Sequence, residues 1–313
     1  MWNNDNLHLR IFSMLNRLLT ACFCLVMCSS ASDQFLYASD KMDDVTSDKF
    51  DLFAIKDRLT KKAYPLAFAD SLKKAFEVDN QHPLREFPQS QFAGVTEDLV
   101  YEVTWGFIRG GYGILSLKPG RRANTLELST YAITHHMVGA LYKVRDFVNS
   151  TVDERGWYPN FFEEHLREGR KYRANRWYVY DHAQGRVHAS KSKHRSDSVP
   201  EFVHSYVSGF YYFRTQPWDV GDTVYVNVFV EGKTYRMYYV CHKRETIELD
   251  GKPIRCLRVQ PYLKTKTMVF AKGDKVTIWF TDDEYRIPVS VRAKIIFGSI
   301  RARLIFGKRA GIE

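Results

Sequence analysis

The feature that most constrains this chain is a long succession of short, strand-like segments that begins near Asp98 and continues almost to the C-terminus. β-Branched and aromatic residues dominate these segments, and turn residues such as Gly185, Gly232 and Gly251 separate them. Short strands at this spacing predict one all-β sandwich or barrel, and 313 residues are ample for its core. The predicted strands are 99–107, 114–117, 125–134, 147–152, 161–167, 170–180, 186–190, 224–230, 233–249, 253–263, 276–281 and 287–306.

One segment, between Ser198 and Pro217, departs from this pattern. Its apolar residues recur at spacings of three and four, as on one face of a helix. They are Phe202, Val203, Tyr206, Val207 and Phe210. A lone apolar helix in a β protein usually covers the concave side of a curved sheet. We therefore predict a large antiparallel sheet curled into an incomplete barrel, with one helix in or over its hollow and short helices at its N-terminal side.

Aromatic residues on this helix are candidates for lining a ligand site. Tyr206, Phe210 and Tyr211 belong to the one helix expected to face the hollow, and Trp279 is a fourth candidate. The alternative is that these side chains fill the core of the barrel. The sequence leaves both interpretations open.

The N-terminal residues predict export. Arg17 precedes an uncharged apolar run, 18–28, which is followed by small residues and then by Asp33. This is the layout of a cleavable secretory signal, and the run is shorter than the roughly 20 residues needed to span a bilayer. We predict cleavage near Ser32 and a periplasmic location in a Gram-negative envelope, with Met1 or Met14 as the start residue.

Lipid anchoring is the alternative to simple cleavage. The residues up to Cys22 have the types of a bacterial lipobox, but almost no apolar run precedes them. Cys28 is better placed, yet Met27 is a poor match to the small residue required before the modified cysteine. We therefore expect a mature protein without a lipid anchor and without a transmembrane span.

The remaining chain divides by composition. Residues 33–93 are rich in Asp and Lys and carry two short helical patterns, one around Leu52, Ile55 and Leu59 and one from Leu66 to Phe76. Residues 94–308 form the predicted β-rich domain, and 309–313 form a tail.

The positive charge of the chain suggests its partners. Removing residues 1–32 takes away Arg10, Arg17 and Asp5, so the mature chain keeps about +9 of the +10. Such a charge favours anionic surfaces. For an exported protein these are lipid head groups, lipopolysaccharide or acidic glycans rather than nucleic acid; the alternative is a basic surface that only maintains solubility.

Two cysteines, Cys241 and Cys256, lie beyond the predicted signal. Asp250-Gly251 between them is typical of a type I′ hairpin turn. With that turn as the centre, Cys241 faces Gln260 and Cys256 faces Glu245. The cysteines are then about 13 Å apart along the strands, beyond the reach of a disulfide. We expect two buried, free thiols.

No metal or cofactor motif emerges. The glycines in 109–113 lack the residues that complete a phosphate-binding loop, so we interpret this segment as a hairpin turn. Adjacent residues on a strand point to opposite faces, so His135 and His136 would not share an ion. Neither a His-x-His nor a Cys-x-x-Cys spacing occurs.

The segment 279–288 is the most distinctive. It places Asp282, Asp283 and Arg286 between two predicted strands. Two neighbouring carboxylates serve acid/base catalysis when their environments separate their pKa values. Alternatively, the carboxylates accept backbone N–H groups in a tight turn and pair with Arg286. We favour the structural turn.

Several segments together resemble an exported bacterial family known as domain of unknown function 3108. The resemblance covers about 94–308, and it implies an exported, β-rich domain without an agreed activity. One departure lies at 204–209, where the family leads us to expect an acidic residue and a Leu-Ser-Ala stretch; this weakens any role inferred for the helix. The resemblance rests on 97–103, 142–146, 167–172, 208–214, 279–288 and 297–299.

The leading hypothesis is a non-enzymatic periplasmic binding or carrier protein for a lipid or another apolar or anionic envelope component. It relies on analogy between incomplete barrels and lipid carriers. One alternative is an envelope hydrolase or transferase that uses Asp282 and Asp283. Another is a structural or assembly partner of an outer-membrane complex.

Overall fold

A computed structural model of the chain describes residues 52–79, 84–87, 91–140, 142–190, 196–263, 276–294 and 298–310. The protein is built mainly of β-strands, with four short helices in the described ranges. The helices are α1 Leu52–Thr60, α2 Leu66–Ala75, α3 His136–Gly139 and α4 Tyr206–Thr215. The strands are β1 Thr96–Trp105, β2 Ile108–Pro119, β3 Thr125–Thr134, β4 Arg145–Asp153, β5 Tyr158–Glu168, β6 Tyr172–Asp181, β7 Arg186–Ala189, β8 Ser196–Ser198, β9 Thr223–Val230, β10 Lys233–Leu249, β11 Lys252–Leu263, β12 Val276–Thr281, β13 Pro288–Lys294 and β14 Ser299–Ala310.

The strands form one 14-stranded antiparallel sheet in the order β8-β7-β6-β5-β4-β3-β2-β1-β14-β13-β12-β11-β10-β9. Every strand pairs with the next strand in sequence except β8 with β9, and the additional pairing of β1 with β14 joins the two halves of the sheet. The edge strands β8 and β9 do not pair, so the sheet is not closed. The predicted class, an antiparallel sheet forming an incomplete barrel, is confirmed.

Helix α4 connects the two edges of the sheet. Just before it, His204 forms a parallel bridge with Val228 of β9. The His204 N–H donates to the Asn227 carbonyl at 2.9 Å, and the Phe229 N–H donates to the His204 carbonyl at 2.8 Å. The entry to α4 therefore satisfies part of the β9 edge, which would otherwise present unpaired backbone groups.

Ser205 caps the N-terminus of α4. Its hydroxyl accepts the Ser208 N–H at 3.0 Å, and the Ser208 hydroxyl in turn accepts the Ser205 N–H. This reciprocal pair is a capping box, which satisfies two donors that the first helical turn leaves open. The helix begins later than predicted, because Ser198 ends β8 and Phe202 has a φ of +49°. A left-handed residue does not continue a right-handed helix.

The two faces of the sheet carry different helices. On one face, Leu52, Ile55 and Leu59 of α1 pack with residues of β1 to β4 such as Ile114, and Ala69 of α2 packs on β5 and β6. The opposite, concave face packs around α4 in the largest apolar cluster. The predicted N-terminal helices are thus present and lie outside the hollow.

Because neighbouring strands are antiparallel, all the turns lie at two ends. The hairpin end carries the turns between β1 and β2 (residues 106–107), β5 and β6 (169–171), and β9 and β10 (231–232). The helix end carries the turns at 250–251 and 282–287 and receives the C-terminus of α4.

Two local predictions need correction. The segment 287–306 is two strands, β13 and β14, with Gly298 at a φ of +87° between them. The glycine segment 109–113 lies within β2, and the turn precedes it at Gly106. Gly110 is instead the extra residue of a β-bulge, because Val103 pairs with Gly111 and Thr104 with Arg109.

The histidine pair is also arranged differently from the prediction. Strand β3 ends at Thr134, and His135 is the buried N-cap residue of α3, so the two histidines do not alternate along one strand. Within the described ranges, no group of three or more His, Cys, Asp or Glu side chains is suited to hold a metal ion.

The β10–β11 hairpin confirms the predicted turn. Asp250 and Gly251 have φ values of +52° and +76°, and Leu249 pairs with Lys252. Glu245 pairs with Cys256 as predicted, but a bulge at His242 shifts the partner of Cys241 from Gln260 to Val259. Both cysteines are buried and free, which confirms the prediction.

In the part of the chain that the structure describes, none of the helices has the length and apolar character needed to cross a membrane.

Candidate functional site

The hollow of the sheet is divided by α4 into a filled part and a less covered part. Tyr206, Phe210 and Tyr211 are at most 7% exposed, and all three pack inside the main apolar cluster. The Phe210 ring lies 5.9 Å from Phe280 of β12, and the Tyr211 ring lies 5.6 Å from Phe92. At the helix end these aromatic residues therefore fill the space between α4 and the sheet.

The fourth predicted lining residue, Trp279, is only partly buried and packs against the cluster that contains the other three. Along β12 the buried residues Ile278 and Phe280 face α4, whereas Trp279 alternates to the opposite face and is half-buried. Its indole N–H donates to Glu245 at 2.8 Å. The structure thus groups Tyr206, Phe210 and Tyr211 but does not bring Trp279 into the same wall.

A buried polar network attaches the first turn of α4 to the sheet. Glu164 lies on the inward face of β5 and pairs with Arg176 of β6. The Tyr206 hydroxyl donates to the other Glu164 oxygen at 3.0 Å, and Arg176 reaches Glu231 at 3.0 Å. Burial acts to lower the pKa of Arg176, but the two carboxylates outweigh burial and raise it above its ordinary value. Arg176 therefore stays charged and joins the turn between β9 and β10 to β5.

A hydroxyl cluster lies beside this network. Ser205 donates to Ser150 of β4 at 2.9 Å, and His204 lies 3.2 Å from the Ser208 hydroxyl through Nδ1. Burial and the nearby charge of Arg85 keep the pKa of His204 well below its ordinary value. These hydroxyls are fully buried and serve the helix cap, so they hold α4 in place rather than presenting a nucleophile.

The C-terminus of α4 is held by a buried ion pair that the sequence did not reveal. Arg214 and Glu97, at the start of β1, are both completely buried, with Nη1 and Oε1 3.5 Å apart. Nη2 of Arg214 donates to the Tyr285 carbonyl at 3.2 Å, and the guanidinium lies 4.1 Å from the centre of the Phe92 ring. The pair joins the helix, the first strand and the acidic turn.

The acidic turn places its two aspartates in different environments. Asp283 Oδ1 accepts hydrogen bonds from the Thr281 hydroxyl at 2.7 Å, the Tyr285 N–H at 3.0 Å and the Arg286 N–H at 2.8 Å. Desolvation within the turn raises the pKa of Asp283, and these hydrogen bonds oppose that rise. This is the pattern of an aspartate that stabilises a turn.

Asp282 and Arg286 point away from Asp283. Asp282 accepts from Arg244 at 3.2 Å and from Arg255 at 2.9 Å on the surface. Arg286 lies 3.9 Å above the Trp218 ring and donates to the Trp218 carbonyl at 2.6 Å. The two carboxylates have different hydrogen-bond donors, and the Arg286 guanidinium contacts Trp218, although the Arg286 backbone N–H donates to Asp283.

Burial makes the two thiols poor nucleophiles. It raises the pKa of Cys241 to about 11 and that of Cys256 to about 12. Because the thiolate is the reactive form, neither thiol is ionised to a useful degree near neutral pH.

At the hairpin end, inward-facing apolar side chains are only partly covered. They continue the inner faces of their strands and pack against the main cluster, but they retain exposed area. They come from both halves of the sheet and thus surround the hollow on the side away from the C-terminus of α4. We call this ring the mouth; its residues are Val103, Ala132, Tyr172, Ala174, Val230 and Tyr235.

Comparison with known proteins gives a family. A family model described as a protein of unknown function (DUF3108) matches residues 100–305. No curated protein matches the chain. A crystal structure of a β-barrel-like protein of domain of unknown function DUF1849 from Brucella abortus is 12% identical, with a TM-score of 0.48. The match covers 70% of this chain and 99% of that chain.

Proposed function

The chain belongs to the DUF3108 family of proteins of unknown function, and from this premise we propose that it is a non-enzymatic binding or carrier protein of the cell envelope. Its ligand is an amphiphile, a lipid or a similar molecule with an apolar part and a polar group. The ligand enters the hollow through the mouth at the hairpin end. The observation that carries this proposal is the ring of half-covered apolar side chains on the inner face of the sheet.

The burial of side chains at the two ends supports entry at the hairpin end. At the helix end, Phe210 and Tyr211 are completely buried and the Arg214–Glu97 pair closes the space beneath α4. At the mouth, small side chains such as those of Ala132 and Ala174 lie on the inner face and retain exposed area. Binding sites in barrel folds occur preferentially at such mouths, where apolar walls meet a few polar groups. Glu164 and Arg176 are the nearest inward-facing polar groups of this kind.

The contacts of the acidic turn favour a binding protein over a hydrolase or transferase. Asp283 is occupied as a hydrogen-bond acceptor in its own turn, and Asp282 is paired with two surface arginines. An acid/base pair needs two carboxylates that act on one substrate position. Here the two groups have separate partners, as expected for residues that shape the turn.

The proposed location is the periplasm, after removal of a signal near Ser32. The apolar run 18–28 and the small residues after it support this location; they lie outside the described residues. Sequencing the N-terminus of the mature protein should give a chain that begins near Asp33. A chain that begins at an acylated Cys22 or Cys28 would instead make it a lipoprotein.

Native mass spectrometry of the protein purified from the envelope fraction tests the proposed ligand. We expect a bound species of lipid mass and displacement of that species by a dansylated fatty acid. Ala132→Phe and Ala174→Phe narrow the mouth and should weaken binding of the dansyl probe. Ala183→Phe, on an exposed turn at the helix end, is the matched control and should bind the probe as the parent does. Equal binding by all three variants, or no binding by the parent, would refute the proposal.

A further inference from the structure

The hairpin end also carries the most exposed apolar side chains in the described part of the chain. Phe107 is 98% exposed and Met137 71%, and they are accompanied by Trp105 at 48% and Ile108 at 43%. Scattered single apolar residues are ordinary on protein surfaces, but a contiguous group indicates an interaction site. We call these four residues the tip.

The tip is formed by two neighbouring loops. Trp105 and Ile108 are cross-strand partners that flank the Gly106–Phe107 turn. Met137 lies on α3, which follows β3 and is tied to β2 by the hydrogen bond from the His135 N–H to the Gly110 carbonyl at 3.0 Å. The apolar side chains therefore lie exposed on adjacent turns at the hairpin end of the sheet.

Basic residues flank the tip on the outer face of the sheet. Arg109 lies opposite Thr104, Thr104 opposite Arg301, and Arg301 opposite Arg292, so three arginines share one row across four strands. Arg292 and Arg301 are both exposed and directly opposite each other. Like charges in this position destabilise a sheet. An anionic partner that contacts both would remove this repulsion.

The turns at the same end add further positive charge. Lys143 precedes β4, and Arg170 and Lys171 form the turn between β5 and β6; all three are exposed. Glu102 and Glu231, two acidic residues at this end, are paired with Arg109 and Arg176, and Glu168, which directly precedes the turn between β5 and β6, is buried. Among the described residues, the exposed charge around the tip is thus positive.

We propose that the hairpin end docks on an anionic phospholipid surface, with the tip inserted among the head groups and the flanking arginines and lysines in contact with their phosphates. Trp and Phe are favoured at membrane interfaces, and a short apolar insertion together with a basic patch provides the two signals that stable, reversible attachment needs. An exposed aromatic turn surrounded by positive charge matches a head-group layer, which offers both an apolar interior and anionic phosphates. Docking does not require a ligand in the hollow, although it would place the mouth against the bilayer.

Sedimentation with vesicles tests the docking surface. The parent protein should bind vesicles of equal parts phosphatidylglycerol and phosphatidylcholine, should bind pure phosphatidylcholine vesicles poorly, and should lose binding as salt is raised. Phe107→Ser should lower the partition coefficient about tenfold or more. Arg292→Ser and Arg301→Ser should each lower it about fivefold. Val220→Ser, which removes an exposed apolar residue near the helix end, is the matched control and should bind as the parent does.

Three results would overturn the proposal. The first is vesicle binding by Phe107→Ser that equals the parent's, and the second is absence of binding to anionic vesicles at low salt. The third is self-association: a dimer of the parent in analytical ultracentrifugation that Phe107→Ser abolishes would assign the tip to a second copy of the chain. The mouth variants keep the tip intact, so they should lose the dansyl probe and still bind vesicles as the parent does. The two assays therefore separate a failure of the ligand proposal from a failure of the docking proposal.

Discussion

Removal of the Arg214 charge should destabilise the protein more than almost any other single substitution at the helix end. Both Arg214 and Glu97 are completely buried, and they are 3.5 Å apart. Arg214→Met leaves the Glu97 carboxylate in the core without its counter-ion and also removes the donor to the Tyr285 carbonyl. Breaking a buried pair from one side typically costs about 3–5 kcal/mol.

The same reasoning sets the values for the companion variants. Glu97→Leu should also lower the free energy of unfolding by about 3–5 kcal/mol, because it leaves the Arg214 guanidinium buried without its counter-ion. The double variant removes both charges, and replacement of a buried pair by apolar residues is often nearly neutral. We therefore expect the double variant to be more stable than the sum of the single variants by at least about 2 kcal/mol. For a protein of this size, a single variant should melt about 10 °C lower than the parent.

Urea unfolding followed by tryptophan fluorescence measures these differences, provided that the denaturant slope is unchanged. Arg244→Met is the control, since Arg244 pairs with the acidic residues Asp219 and Asp282 but lies on the surface; its removal should change stability little. Additive single variants, or an Arg214→Met protein as stable as Arg244→Met, would show that the pair does not hold α4.

Three further predictions follow from buried groups. Native Cys241 and Cys256 should react far more slowly with a thiol reagent at pH 8 than the unfolded chain does, because burial raises their pKa values to about 11 and about 12. The intact mass should show no loss of two hydrogens. Fast labelling of the native protein would contradict the prediction. Burial and the charge of Arg85 lower the pKa of His182 to about 4 in the folded state. The unfolded state therefore binds more protons below about pH 6.5, and the free energy of unfolding should fall by about 3 kcal/mol from pH 6.5 to 4. His182→Gln should flatten this pH profile. Asp283→Ala should lower the free energy of unfolding by about 1–2 kcal/mol. Any loss of function in cells by Asp282→Asn or Asp283→Asn should follow the abundance of folded protein. A stable, abundant but inactive Asp282→Asn protein would support an enzyme instead.

The strands were predictable wherever apolar and polar residues alternate clearly. The bounds of β3, β10 and β12 agree with the prediction. The break between β13 and β14 was missed because β-branched residues continue on both sides of Gly298, and one glycine is a weak turn signal. The turn was predicted at 109–113 instead of at Gly106 because three glycines lie in that segment. One of them, Gly110, instead forms a β-bulge.

The start of α4 shows how local chemistry outweighs periodicity. Phe202 and Val203 match the apolar spacing of the helix, but the capping pair of Ser205 and Ser208 determines where it begins. Ser-x-x-Ser is a weaker signal than Ser-x-x-Glu, which explains why it was overlooked. The Glu97–Arg214 pair could not be predicted from the sequence, because its members are more than a hundred residues apart and meet only when α4 packs against β1 in the folded sheet. The tip was available in the sequence as an apolar run around a turn glycine, Trp105-Gly106-Phe107-Ile108.

The two ends of the hollow use the same residue types in opposite ways. At the helix end an arginine and an aromatic cluster are buried together, so the fold can cover such groups where they stabilise it. At the hairpin end aromatic and basic residues remain in water, and Phe107 forgoes the roughly 1.5–3 kcal/mol that burial of such a side chain contributes. If this exposure served stability, Phe107→Ser would lower the melting temperature. If it serves binding, Phe107→Ser should keep the parent's stability and lose vesicle binding, while Arg214→Met loses stability and keeps vesicle binding in its folded fraction. Measurement of both properties in both variants separates the residues that hold the barrel together from those that attach it to a surface.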